Sequence, residues 1–470
     1  YWIDQIKRAS KAEEKWRKRG VEVNKRYVDE RDDAKTKFNI LWSNTETLRP
    51  SLISAVPSPE CRPRYRKADP VSRVAAKILE RALEFSLDQY DFIKVGRKVV
   101  NDYLLPGRAV ARIKYIPTFE KKERKVPLRL VEEAGEAKFK SESGDMFDDA
   151  EMDDDGFYMQ EEVEEVVFEE VITERVPWQW FRMEPADEWK NVNWVAFGAP
   201  YDEDEGVKEF GDKFMDVTTT PSMDMMGNDE ATKDVRIVWE LWDKRTRKQY
   251  FVADGLGEPL REEDDPMGLE GFFPIPEPVY AVLDCNTMVP TPEFTLWQDQ
   301  ADELDILSER IRKVTEAIKA SGLYAGSKNH EISQVLDADD NQLIPVEDWA
   351  AMIDKGGLAG LISWLPIEQF AKVLQMLEQQ RAIKVQEIYE LTGVSDILRG
   401  ATDPRETAKA QAIKERSGNR RLVTKQDAIQ RFFRDIYRIK AEVIAEQFDT
   451  ETLRMMVGLE NTNNEIFAEA

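Results

Sequence analysis

The chain has one histidine and two cysteines among its 470 residues. With His330 alone, histidine-based catalytic triads and multi-histidine metal centres are excluded. Cys61 and Cys285 cannot build a disulfide framework or a four-ligand zinc site, and they suit a reducing compartment. No run of about eighteen apolar residues is present, so no segment is expected to span a membrane. The opening stretch does not read as a signal peptide, and a start on Tyr1 rather than Met fits a trimmed fragment.

The usual motifs of catalysis are missing as well. Gly322 to Lys328 (GLYAGSK) comes nearest to a phosphate-cradling loop, but its glycines are too close and Ser327 precedes Lys328 instead of following it. His330-Glu331 is followed by Gln334 where a zinc-protease helix needs its second histidine, so His330 reads as an exposed loop residue. A calcium loop counted from Asp149 has Glu151 and Asp153 in place. It fails at Asp154, where the turn glycine belongs, and at Met159 or Gln160, where the closing Glu belongs. Dispersed carboxylates forming a two-metal nuclease are the remaining route to chemistry. We expect no enzymatic activity, no cofactor and no metal.

What the chain does have is charge, 34% of residues with a net of −25, and enough length for about two to four domains. Residues 1 to 35 read as a solvated helix with sparse Ile3, Ile6, Trp16, Val23 and Tyr27, and Lys15 to Arg19 as its solvated basic face. A short apolar helix within Asn39 to Arg64 is stopped by Pro57 and Pro59. Asp69-Pro70 caps a helix reaching about Tyr90, and another covers Phe92 to Leu105 before Pro106-Gly107. Arg108 to Ile116 alternates as a strand. Residues 118 to 170, basic at Lys121 to Lys125 and acidic from Asp145 to Glu165, read as an extended, partly disordered excursion.

Further on, Pro177 to Asp187 (PWQWFRMEPAD) is an aromatic cluster expected to pack in a core or subunit interface. Val235 to Trp242 alternates, Asp243 to Arg247 turns, and Gln249 to Val252 returns. Proline segments at Phe272 to Pro278 and Val289 to Pro292 suggest a hinge. Phe294 to Ser321 is predicted helical, with Leu296, Leu304, Leu307, Ile311, Val314 and Ile318 on one side. Residues 322 to 366 are short mixed pieces.

Pro366 to Phe448 then reads as helix, loop, helix. The first helix has Ile367, Phe370, Leu374, Leu377, Ile388 and Leu391 as its apolar face. The loop runs from Thr392 to Thr402. Asp403, Pro404 and Glu406 make a capping-box start for the second helix, whose stripe is Ile429, Phe432, Phe433, Ile436, Ile439 and Val443. Ser417-Gly418-Asn419 is expected to kink or break it.

LTGVSDILRG (391–400), ETAKA (406–410), NRRL (419–422) and AEQF (445–448) together resemble tailed-bacteriophage portal proteins, most closely those of short-tailed phages. Asn39 to Arg64, Asp102 to Val110 and the two proline segments are similar to the same family. The resemblance covers roughly residues 15 to 115 and 165 to 455 and rests on the number of stretches rather than on any one of them.

It implies a mainly α, α+β portal-type fold assembled as a ring: wing at 1–292 with the acidic excursion, first stem helix at 293–321, clip at 322–366, second stem helix at 367–391, tunnel loop at 392–405, long wing helix at 406–448 and the start of a crown at 449–470. The implied function is a dodecameric channel at one capsid vertex for packaging and ejecting double-stranded DNA. The implied partners are eleven further copies of the chain in a homo-oligomer of twelve, the DNA, the terminase large subunit, head-tail adaptor or tail proteins, and major capsid and scaffolding proteins. The implied place is the virion, after assembly in the host cytoplasm.

The tunnel loop would line the channel with Ser395, Asp396, Thr402 and Asp403, and Arg399 and Arg405 would touch phosphate. Tyr324, Lys328 and His330 would lie on the clip that docks motor and adaptor. The alternative is a ring- or filament-forming assembly protein of another kind, with the apolar stripes as coiled-coil seams.

Overall fold

The computed structural model describes residues 1–30, 37–63, 69–133, 136–141, 146–147, 151–153, 156–221, 234–317, 322–324, 362–364, 367–394 and 408–458. It is a mixed α+β chain, mainly helical, with antiparallel sheets. The helices are α1 (Trp2–Ala12), α2 (Glu14–Tyr27), α3 (Ile40–Leu52), α4 (Pro70–Gln89), α5 (Phe92–Leu104), α6 (Glu203–Phe210), α7 (Gln298–Ala317), α8 (Ile367–Thr392), α9 (Ala408–Gln447) and α10 (Thr450–Val457). The chain forms two compact units. One comprises Tyr1–Asn24, Arg49–Pro292 and Leu422–Ala470, the other Lys25–Leu48 and Glu293–Arg421.

The first unit holds two sheets. In one, β1 (Arg108–Glu133) and β5 (Gly156–Val176) form a long antiparallel pair, widened by β2 (Glu136–Ser141), β3 (Met146–Phe147) and β4 (Glu151–Asp153). The ladder runs from Val110 opposite Val176 to Leu128 opposite Phe157, with one irregularity at Thr118/Phe119. The described part of the acidic excursion is therefore a ribbon, not a disordered loop. Its register sets Lys121 opposite Glu164 and Arg124 opposite Glu161, but also Glu120 opposite Glu165 and Glu123 opposite Glu162, so facing charges favour the pairing at some positions and oppose it at others. Strands added on each side support a ribbon that would be marginal with two.

The second sheet has the order β11 (Arg261–Asp264), β10 (Lys248–Ala253), β9 (Asp234–Asp243), β7 (Trp194–Tyr201), β6 (Phe181–Met183), with β8 (Thr219–Pro221) also on β9. A further strand, β12 (Val279–Tyr280), pairs with the start of β1. The β9 alternation puts Leu241 among Ile6, Ala9, Trp194 and Val252, with Trp239 packed alongside. Val238 points the other way, to Phe214, Val217 and Phe251. Both faces are covered, so the clean in-and-out pattern expected of β9 is a half-truth: Trp242, on the supposed outer face, is buried too.

One knot of charge joins α1 and α2 to these sheets. The buried Glu13 carboxylate accepts from both Arg108 and Arg17. Arg17 also donates to the carbonyls of Trp178 (2.8 Å) and Phe181 (2.7 Å), and Arg182 to those of Gln179 (2.6 Å) and Phe181 (2.9 Å). The Arg108 guanidinium lies 4.2 Å from the Trp16 ring centroid, and Trp16 meets Trp178 edge-on. Arg17 thus leaves the solvated face on which the sequence places it, because Glu13 one turn earlier is buried and needs cations. The aromatic segment Pro177 to Asp187 is core here, with Trp178, Phe181 and Met183 all buried.

Helix starts follow the local chemistry. The Asp69 side chain accepts from the Ser72 amide at the head of α4, with Pro70 at the first helical position. In contrast, α9 runs unbroken through Ser417-Gly418-Asn419. A glycine inside a helix costs only about 1 kcal/mol, too little to break a rod this long. Its C-terminal half buries Ile429, Phe432, Phe433, Ile436 and Val443, and Phe433 meets Phe92 of α5 edge-on.

Two ionisable groups in this unit make stability depend on pH. Burial alone would raise the Glu13 carboxyl, but Arg108 and Arg17 overcome it and hold it at about 2, below its ordinary 4.5. Its stabilisation is fully present above pH 4.5 and is lost as pH falls from there through 2, an effect of about 3 kcal/mol. Glu13→Ala is expected to cost about 3 to 5 kcal/mol in urea titrations at pH 7, because it strands buried guanidinium groups. Glu13→Gln should flatten the acid limb of the stability curve, and an unchanged limb would count against the knot.

Lys440 on α9 is 1% exposed, with no ion-pair partner among the described residues, and burial holds its ammonium down at about 7. Between pH 7 and its ordinary 10.5 the unfolded chain takes up a proton that the folded chain does not, so stability rises with pH across that window. Below pH 7 the full penalty of a buried charge applies. Lys440→Met should therefore stabilise the protein by about 2 to 3 kcal/mol at pH 6, with the gain fading toward pH 10. Paired denaturation curves at the two pH values test this.

Candidate functional site

The second unit is built on a helical hairpin. Two short strands, β13 (Gly322–Tyr324) and β14 (Ile362–Trp364), pair antiparallel between the end of α7 and the start of α8, so the packed helices run antiparallel. Leu304 and Leu307 of α7 and Leu377 and Ile388 of α8 are buried. Lys384 bridges the helices, 2.7 Å from Glu303 and 2.8 Å from Glu387. Arg26 from the end of α2 reaches Asp302 and Asp305 on α7 and lies over the Phe294 ring. The Phe38 amide donates to the same Asp305, and Arg381 of α8 covers the Phe38 ring.

The far end of α8 is closed by a glycine. Gly393 has φ +71° and its amide donates to the Tyr389 carbonyl, a left-handed stop that a Cβ would strain. Arg421 of α9 donates to the Leu391 carbonyl (2.7 Å), so α9 is tied to the end of α8 at that point. Ala408 starts α9 about 20 Å earlier along its axis, at 1.5 Å per residue.

The tunnel-loop residues Ser395, Asp396, Arg399, Thr402, Asp403 and Arg405 lie outside the described residues, as do Lys328 and His330 of the clip. The capping box at Asp403 lies outside them too. Tyr324 ends β13, opposite Ile362 on β14. The structure therefore describes the frame around these positions, the hairpin on one side and α9 on the other.

On that frame the sequence had two inward positions wrong. Leu391 is 50% exposed and Leu296 60% exposed. On α8 the core side is held by Leu377 and Ile388, eleven residues apart and therefore nearly eclipsed, and Leu391 falls beside that line. On the α7 side Trp297 is buried in place of Leu296, edge-on to Phe294. Leu391 joins Val373, Met376 and Ile383, which are 42%, 59% and 58% exposed. Steps of three, seven and eight keep these four on one flank of α8. The seven-residue step was the signal for a second stripe, masked by the stronger first one. Gln380 and the half-exposed Glu387 lie between them on the same flank, so the four are exposed apolar side chains spaced along one side of α8.

Among the described residues no group of three His, Cys, Asp or Glu is placed to hold a metal ion. No described helix is long and apolar enough to cross a membrane. No protein-family model matches the chain, and no curated protein matches it.

Proposed function

We propose that this chain is a portal subunit, one of twelve copies ringed around a channel for double-stranded DNA at a capsid vertex. The observation that carries the reading is the exposed flank of α8, Val373, Met376, Ile383 and Leu391, on a helical hairpin that ends at the segment resembling a tunnel loop. A neighbouring copy is the occupant that flank fits: half-covering each of these side chains on assembly is worth about 1 kcal/mol, repeated at every joint of the ring. The hairpin bracketing β13 and β14, followed by a long helix, has the order of stem, clip, stem, tunnel loop and wing helix.

Charge supports a conduit. DNA carries one negative charge about every 1.7 Å, and cations that neutralise it must be released at each step of translocation. If part of the chain's net charge of −25 lines the bore, the acidic wall would let a duplex slide instead of holding it. Within that acidic bore Arg399 and Arg405 of the tunnel loop would make the few phosphate contacts, and Ser395, Asp396, Thr402 and Asp403 would line the constriction. Tyr324, Lys328 and His330 would meet the terminase large subunit during packaging and the adaptor or tail proteins afterwards. Capsid and scaffolding proteins would meet the outside, with the particle assembled in the host cytoplasm and the portal retained in the virion.

The same exposed flank is compatible with the second reading, a non-portal ring or filament. Negative-stain images separate them: twelve-fold rings with an axial bore are expected, and filaments or small bundles would overturn the portal reading. The double variant Met376→Glu, Ile383→Glu should keep its circular dichroism and melt within about 2 °C of the parent, since both side chains are exposed, yet fail to form rings. If it assembles normally, the flank is not the joint. Replacing Arg399 and Arg405 together by Ala should lower genome packaging and retention in an infectivity assay, and an unchanged titre would remove the proposed DNA contacts.

A further inference from the structure

In the first unit a cleft of about 430 Å³ opens between α9, α4 and the segment Pro57 to Cys61. Its floor is apolar: Leu83, Phe433 and Tyr437 are all buried. The proline segment forms one wall and is pinned in place. The Tyr437 hydroxyl donates to the Pro57 carbonyl (2.9 Å), and the Cys61 amide donates to Glu80 (3.1 Å). The opposite wall is Gln430, Arg434 and Arg438, one helical turn apart on α9.

The two arginines share a single carboxylate. Arg434 donates to Asp435 at 3.0 and 3.2 Å, and Arg438 to the same group at 3.2 Å. Burial and the nearby Asp435 charge both push the Glu277 carboxyl up, so a second carboxylate stands near Asp435, while the two guanidinium heads line the cleft beside its apolar floor. Glu60, on the proline wall, is held by Arg62. Both arginines are at least half-exposed, so they are available to a ligand.

We infer that this cleft binds an acidic protein segment carrying one bulky apolar side chain, which enters between Tyr437 and the proline wall while flanking carboxylates meet Arg434 and Arg438. The volume suits one aromatic or large aliphatic group plus a short length of backbone, within the lower range of ligand sites. Guanidinium groups pair with carboxylates in a fork geometry that favours this partner. A duplex backbone would satisfy the arginines and leave Leu83, Phe433 and Tyr437 uncovered, so nucleic acid fits less well. The inference does not rest on the portal reading and is testable on unassembled protein.

Cys61 lines the cleft and serves as a reporter once the exposed Cys285 is replaced by Ser. The probe is a fluorescein-labelled peptide of sequence Glu-Glu-Phe-Glu-Glu at about 150 mM salt, where the repulsion from the chain's overall negative charge is screened beyond about 8 Å. Saturable anisotropy is expected, with at least a fivefold slower reaction of Cys61 with a thiol reagent. Arg434→Gln with Arg438→Gln should weaken binding at least tenfold. Ala441→Trp, which fills the cleft without changing its charge, should do the same, and it keeps the test informative if the arginine pair proves necessary for folding. Three results would overturn the inference: no saturable binding, equal affinity for Glu-Glu-Ala-Glu-Glu, or stronger protection of Cys61 by a short DNA duplex than by the peptide.

Discussion

Everything in the larger unit hangs on how one buried carboxylate is shared. Glu13 takes Arg108 and Arg17, with Arg182 close behind, which leaves more positive charge than negative in a place where an unpaired ion costs several kcal/mol. The excess is tolerable because the guanidinium groups do not rely on carboxylates alone. Arg17 and Arg182 spread their donors over the carbonyls of Trp178, Gln179 and Phe181, and Arg108 presses its face on Trp16 and Phe181. Carbonyl dipoles and ring faces carry partial negative charge and are themselves buried there, so these contacts serve both sides, although Nε of Arg17 and of Arg108 has no hydrogen-bond partner among the described residues. The N-terminal helices, β1 and the turn leading into β6 are thereby fixed to one another by polar groups with strict geometry, which an apolar contact of equal area would not impose.

That knot also shows where reading the sequence stops working. Elements whose cause is local were legible: the Asp69 cap of α4, the β9 to β10 hairpin around Asp243 to Arg247, the end of α5 before Pro106, the apolar face of α9. Arg17 was not, because what turns it inward includes Arg108, far along the chain. The ribbon was not, since a basic run and an acidic tract each look solvated until a register sets Lys121 against Glu164. Leu391 failed for a third reason, since periodicity alone does not say which apolar flank of a helix meets its own chain. Leu296 failed because it ends a separate 3-10 turn, Glu293–Leu296, before α7 begins, so the 3.6-residue spacing does not carry back to it.

Of the candidate site, the sequence supplied the residues at its centre and the structure supplied their surroundings. The hairpin of α7 and α8, the Gly393 stop and the Arg421 tie constrain where the 395–407 segment begins and ends, which no loop sequence could do by itself. The argument for a channel consequently lives on assembly, not on chemistry at a point. Passage of a polyanion demands low and uniform affinity along the path, so the informative feature would be a surface that joins copies, the role proposed above for the α8 flank.

The same logic sorts the arginines of α9. In a chain with a net charge of −25, Arg434 and Arg438 stand out as cations beside the cleft, with Asp435 between them. At physiological ionic strength the chain's field is screened beyond about 8 Å, so its overall charge does little to an approaching anionic partner and binding is decided at contact. Capture then depends on short-range features: the fork of a guanidinium, and an apolar floor that repays desolvation. A bare phosphate chain meets the first condition and not the second. A cleft that holds an anion only where an apolar group can also be buried would favour an acidic protein segment over a bare phosphate chain, although both carry the same sign of charge.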